Sequence, residues 1–233
     1  MGSSFHVEDQ HLTIDLDYVF GVDHASLWRA PRLDPNYVLE IAQLSIRLHS
    51  FFSQLDLSQA RGFGKFIPHI LSLAQNESIN SASASTDPIL VFAQPFVLDM
   101  ARACLNQQPH RISKNADALI GLGLGLTPSG DDFLGGLLFA AKTLQAAYPD
   151  WSFTKHGLPI ETYQSRTHLI SFTLLKDLAS GQAIGPLHHI INGLLSAETA
   201  VSIYHPFISQ LTQIGHSTGW DLLTGLLTGL LIR

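Results

Sequence analysis

The sequence predicts an α+β protein that is predominantly α-helical, with a small β element near its start and a bundle-like helical C-terminal half. Three observations lead there. Apolar residues recur at helical spacing from about position 38 onward, while β-branched and aromatic residues in partial alternation are confined to His11–Trp28. The second half carries two similar helix-start motifs, Ser129–Leu138 and Thr218–Leu227. The same pattern divides the chain into 1–115, a region of short strands and helices, and 116–233, a helical domain holding both motifs.

Taken in order, His11–Trp28 (HLTIDLDYVFGVDHASLW) reads as one or two strands with a turn near Gly21-Val22-Asp23. Asp34-Pro35 supplies a cap followed by proline at the first helical position, and apolar positions 38, 41, 44, 48, 51, 52 and 55 carry that helix through Leu55. Gly62–Leu73 has helical spacing around Pro68, and Gln75–Pro88 is small, polar and aperiodic, a loop. Pro88–Asn106 is a further helix in which Pro95 predicts a kink or break. The helix of the first motif should run to about Ala147, with a loop through Pro159. Tyr163–Ser180 follows as a helix stopped by Gly181, and Pro186–Leu195, Glu198–Ile214 and Thr218–Ile232 complete four or five packed helices.

Composition narrows the function. With 233 residues and 45% apolar content the chain can bury a full core. A charged fraction of only 14% and a net charge of -6 leave no basic patch for nucleic acid. The single Cys104 cannot close an internal disulfide, and MGSSFHVEDQ lacks the basic and apolar regions of a signal peptide, so a reducing, cytoplasmic setting is expected. The longest apolar run, Leu222–Ile232, is interrupted by Thr and Gly and is too short to span a bilayer, so no membrane partner is expected.

The chemistry concentrates in Gly121–Phe139, GLGLGLTPSGDDFLGGLLF. Gly121, Gly123 and Gly125 let backbone approach a neighbour or ligand. Thr127 or Ser129 can cap a helix whose first turn carries Asp131 and Asp132, where negative charge suits the macrodipole. A second stretch repeats the first: Gly130/Gly219, Asp132/Asp221, Leu134/Leu223, Gly136/Gly225, Leu137/Leu226 and Leu138/Leu227 are identical pairs. In each copy the Asp precedes a Gly by four residues, so both lie on one helix face. Two helix starts, each with an inward Asp, could meet at one site.

No Gly-Lys-Ser/Thr follows and the G-x-G-x-x-G spacing is missing, so neither a P-loop nor a dinucleotide fingerprint is present, and no cofactor is expected. What remains is an anion site built of helix-start N–H groups around Gly123, Gly125, Thr127, Ser129 and Gly130, beside carboxylates suited to gripping an amide or amine. Arg166, with Thr167 and Ser171 on the same helix, offers a fork-shaped anion partner. A helix-terminal salt bridge explains it equally well. His216, before Ser217, Thr218 and Gly219, could donate to a developing oxyanion or shuttle a proton. The histidines show no H-E-x-x-H or Cys/His spacing, so no metal is expected.

Three blocks in this order, GLGLGLTPSGDDFLGGLL, RTHLISFTLLKDLASG and IGHSTGWDLLTGLL, resemble the bacterial family that includes the AllH subunit of oxamate carbamoyltransferase, over roughly Ala118 to Leu231. The chain departs from the family pattern at Leu124, Thr218 and His168, where proline, serine and threonine are usual. The resemblance implies transfer of a carbamoyl group between phosphate and the amide nitrogen of oxamate, in an assembly with other subunits in purine (allantoin) catabolism. On that reading the glycine-rich N–H groups and Arg166 hold small anions such as carbamoyl phosphate or oxamate. Asp131 or Asp132 orients an amide nitrogen, His216 stabilises the oxyanion, and Thr167, Ser217, Thr218 and Asp221 line the site. The rival expectation is a non-catalytic subunit that binds a small anion and regulates or scaffolds its partners.

Overall fold

A computed structural model describes residues 5–8, 11–14, 18–24, 29–31, 38–75, 77, 85–148, 158–197 and 204–231. The fold is α+β and predominantly α-helical. It divides into two units, Met1–Ala30 and Pro31–Arg233. Residues 115 and 116, where the sequence pattern suggested a boundary, both fall inside one helix of the second unit.

The first unit is a three-stranded antiparallel sheet, β1 (Phe5–Glu8), β2 (His11–Ile14) and β3 (Tyr18–Gly21), in that order. Its register pairs Phe5 with Ile14 and His11 with Gly21. The alternation from His11 marked β2 and β3; β1, which ends three residues before His11, went unseen.

Among the described residues the second unit holds nine α-helices. The first, α1, spans Ile41–Phe52, shorter than expected. Its predicted cap, Asp34-Pro35, lies outside the described residues. Just before the helix, Val38 bridges Ser196 and the Leu39 N–H donates to the Leu195 carbonyl, so tertiary pairing holds this stretch extended. A 3-10 turn at Gly62–Phe66 leads into α2 (Ile67–Ala74), where Pro68 sits at the helix start, its tolerated place. Most of the Gln75–Pro88 loop lies outside the described residues.

Helix α3 (Pro88–Leu105) runs unbroken through Pro95, contrary to the break that proline allowed. By length and composition it could cross a membrane. In the fold, Leu90, Ala93, Val97, Met100 and Cys104 pack it into the core, and that packing outweighs one lost backbone bond. Helix α4 (Pro109–Leu119) was not expected, although Ile112, Ala116 and Leu119 form a buried stripe at helical spacing. Asp99 of α3 clamps it by accepting from Arg111 and, at 2.7 Å, from the Asn115 amide.

Helix α5 (Ser129–Ala147) has the predicted extent. Tyr163 belongs instead to a 3-10 turn, Ile160–Tyr163, and α6 is Leu169–Ser180, closed by Gly181 at φ 89°. The glycine stop was foreseen; the later start was not. Then come α7 (Gly185–Leu195), α8 (Tyr204–Thr212) and α9 (Thr218–Gly229). Every residue from Gly219 to Gly229 is buried, which makes α9 the central helix of the unit.

Helices α5 and α9 cross in close contact, and their glycines explain how. A Cβ on Gly136 would stand 2.1 Å from the Leu222 carbonyl oxygen, and one on Gly225 1.9 Å from that of Phe133. Phe133 and Leu222 hold equivalent places in the two repeats, so the contact is reciprocal and the copies are related by a local two-fold axis. The repeat reaches further back than the identities showed. Gly130 donates its N–H to the Leu122 carbonyl and Gly219 to that of Ile214, while Leu122 and Ile214 bond back to Leu119 and Leu211.

Candidate functional site

Because the helix starts of both repeats meet across this axis, Asp132 and Asp221 converge. The Thr127 and Thr218 hydroxyls pair at 3.2 Å and those of Ser129 and Ser217 at 3.4 Å, each bond linking one repeat to the other. These hydroxyls were expected to cap helices. Instead Pro128 and Ser217 occupy the cap positions and no side chain caps either helix, since the hydroxyls turn across the axis.

Asp132 and Asp221 are buried, and Oδ2 of each is closed off without a hydrogen-bond partner. Asp221 is tied down on its other oxygen, where Oδ1 accepts the Phe63 N–H at 2.6 Å. Gly62 makes that approach possible. It has φ 50°, and a Cβ there would stand 2.4 Å from the same oxygen. Neither Gly62 nor the Phe63 N–H was foreseen as part of the site; the Gly62-Phe63-Gly64 spacing was the available signal.

Burial, followed by the charge of Asp221, pushes the Asp132 carboxyl up to about 8, against the Thr218 and Thr127 hydroxyls beside it. Burial also raises Asp221, to about 6, opposed by the Phe63 N–H and the Ser129 and Ser217 hydroxyls. The pair therefore holds about one proton near neutrality, chiefly on Asp132. Two buried, unfilled carboxyl oxygens can hold N–H donors, and a half-protonated pair can accept a proton at one carboxyl while donating from the other.

Asp131 does different work. Its Oδ1 accepts the Gly121 N–H at 2.6 Å, and its Oδ2 accepts from the Thr167 hydroxyl and, at 2.6 Å, from that of Ser171. Three donors fill it, so it latches the glycine-rich loop to the start of α6. Thr167 thereby serves the latch, from the turn before α6 rather than from within that helix.

The structure does not bring the Arg166 guanidinium to the carboxylate pair. It bonds the Asp117 carboxylate at 3.3 Å and the Asp117 carbonyl, and lies 5.7 Å from the Tyr163 ring centre. The salt-bridge reading of this residue prevails. His216 is exposed in the turn before α9 and makes no hydrogen bond with either carboxylate. The Gly130 N–H, expected to face an anion, is used internally, as are those of Gly121 and Gly219. Gly123 and Gly125 keep positive φ, 131° and 90°, in the loop whose Leu124 and Leu126 are exposed. Cys104 is buried and its thiol is pushed up to about 12 by that burial, so it is no nucleophile near neutrality. No group of three or more His, Cys, Asp or Glu that could hold a metal occurs among the described residues.

Residues 119–230 match the family model described as oxamate carbamoyltransferase subunit AllH, which bears out the resemblance read from the three sequence blocks. The matched stretch contains both repeats and the Asp131 latch; Gly62 and Phe63 lie outside it. No solved structure matches the chain.

Proposed function

We propose that this chain is a subunit of an enzyme that transfers a carbamoyl group between phosphate and the amide nitrogen of oxamate, with the Asp132–Asp221 pair as its chemical centre. The observation that carries this reading is the convergence of two buried carboxyls with unfilled oxygens that share about one proton near neutrality. In the transfer, the oxamate nitrogen forms a bond to the carbamoyl carbon, the bond from that carbon to the phosphate oxygen breaks, and phosphate leaves with the electron pair. The nitrogen must shed a proton. Ionised Asp221 is the natural acceptor, and protonated Asp132 a donor towards the departing phosphate. His216, on the exposed turn beside Ser217, is the side chain free to meet a developing oxyanion. The reading carries with it partner subunits, a cytoplasmic setting and a place in allantoin breakdown.

The test is reconstitution with partner subunits and measurement of oxalurate formed from oxamate and carbamoyl phosphate. Asp132→Asn keeps shape but removes the titrating group, and should lower turnover by about 10²–10⁴-fold. Closure of both free oxygens from solvent favours the second reading, a non-catalytic subunit that binds a small anion and scaffolds its partners. On that reading Asp132→Asn leaves the turnover of the assembly intact.

A further inference from the structure

The function just proposed leaves unused a polar cleft of about 410 Å³ on the far side of the Arg61–Phe63 turn. Its lining includes Arg61, Asp56, Gln54 and Gln59, together with His205, Gln213 and Trp220 from later in the chain. Arg61 has no hydrogen-bond or ion-pair partner among the described residues. The glutamines are arranged differently. Gln54 donates one amide N–H to the Ser50 carbonyl, Gln59 one to the Ser58 hydroxyl and Gln213 one to the Ser209 hydroxyl, which leaves each glutamine a carbonyl oxygen and a second N–H facing no partner. Asp56 adds a further acceptor, since only its Oδ1 is occupied, by the N–H and hydroxyl of Ser58.

A free guanidinium beside a free carboxylate oxygen is a pattern with a chemical complement: an anionic head attached to N–H groups. A bare phosphate or dicarboxylate would satisfy Arg61 but would set its remaining oxygens against the Asp56 carboxylate. We propose that this cleft binds a small carboxylate bearing amide or ureido N–H groups, with Arg61 gripping the carboxylate and Asp56 and the glutamines taking the N–H groups. The flat Trp220 wall suits the planar face of such a molecule. The inference rests on the carbamoyl-transfer reading for its choice of substrate, and adds where that substrate is first held.

The cleft also has a physical link to the carboxylate pair. Arg61 precedes Gly62 and Phe63, whose backbone packs on and bonds to Asp221, and Trp220 immediately precedes Asp221 on α9. A ligand on Arg61 therefore pulls on the segment that positions Asp221.

Calorimetric titration with oxamate, oxalate and oxamide tests the assignment, with the Phe63 amide resonance followed in parallel. Oxamate should bind, while oxalate, lacking N–H groups, and oxamide, lacking the carboxylate, should bind more weakly. Arg61→Met should weaken oxamate by roughly ten- to hundredfold, the loss of a charged hydrogen-bonded pair, and abolish the Phe63 shift. Lys65→Met, which removes a nearby exposed cation, should leave oxamate affinity within about twofold, far short of the tenfold that 1.4 kcal/mol represents. Absence of oxamate binding, binding unchanged by Arg61→Met, or binding lost only in Asp132→Asn would each overturn the cleft assignment. In the reconstituted assembly, an unchanged KM for oxamate in Arg61→Met also defeats the cleft while the carbamoyl-transfer reading stands. Oxamate held at Arg61 by an assembly that forms no oxalurate defeats that reading and leaves the cleft.

Discussion

Asp132→Asn should make the protein more heat-resistant at mildly alkaline pH, an uncommon outcome for replacing a buried polar residue. In the folded protein the Asp132 carboxyl ionises near 8 instead of its ordinary 3.8. Between those values the folded state keeps a proton that the unfolded chain has released. Stability from this group is thus fully present below the unfolded value and is lost as pH rises through the folded one. Asp221, raised to about 6, adds to the loss at lower pH but is largely ionised above that value. From pH 6 to pH 8 the remaining slope belongs to Asp132, at about 1.4 kcal/mol per pH unit until it halves near pH 8, and so about 2 kcal/mol across the interval. For a chain of this size that corresponds to roughly 4–8 °C in Tm. Asparagine does not titrate, and its amide can donate to the unfilled Oδ2 of Asp221. Scanning calorimetry of both proteins at matched ionic strength should show the variant gaining on the parent by that margin between pH 6 and pH 8. A difference that stays constant with pH, or that turns against the variant as pH rises, would show that Asp132 is not a buried carboxyl held protonated.

Gly136→Ala or Gly225→Ala places a methyl about 2 Å from a carbonyl oxygen of the facing helix, and forcing α5 and α9 apart should cost at least about 1–3 kcal/mol in urea unfolding. Because the two contacts are reciprocal, the double variant should lose less than the sum of the singles. Ser171→Ala removes one of three donors to Asp131 and should cost about 1.5–3 kcal/mol, measured the same way. Arg166→Lys should change stability by less than about 1 kcal/mol, as an exposed pair does, and a thermal-shift titration should show unaltered response to oxamate.

The helical second half was legible because each of its signals is local: the apolar period of α5, the glycine after α6, the internal repeat. The convergence of Asp132 and Asp221 was legible too, since a repeated Asp-x-x-x-Gly implies two like helices able to cross on their glycine faces. Partner choice was not. Whether Arg166 meets a ligand or Asp117, and whether Asp131 or Asp132 keeps a free oxygen, depends on α4 and α6 lying beside the glycine-rich loop, which no local pattern encodes. Phe63 contributes through its backbone N–H, a group every residue but proline shares, so side-chain chemistry could not mark it. The late start of α1 has the same origin, a pairing with residues 195 and 196 that opposes a strong local helical period.

The bond from Phe63 to Asp221 spans 158 residues. Closing so long a loop is entropically expensive and comes late in folding, after local helices have formed. Asp221 is encoded near the end of the matched region, so a growing chain exposes Asp132 on the first repeat long before its counterpart exists. During that interval Asp132 is an ordinary, water-facing acid. Its unusual hold on a proton arises only when α9 docks, which makes that proton a marker of completed assembly: its uptake during refolding reports the last long-range step directly.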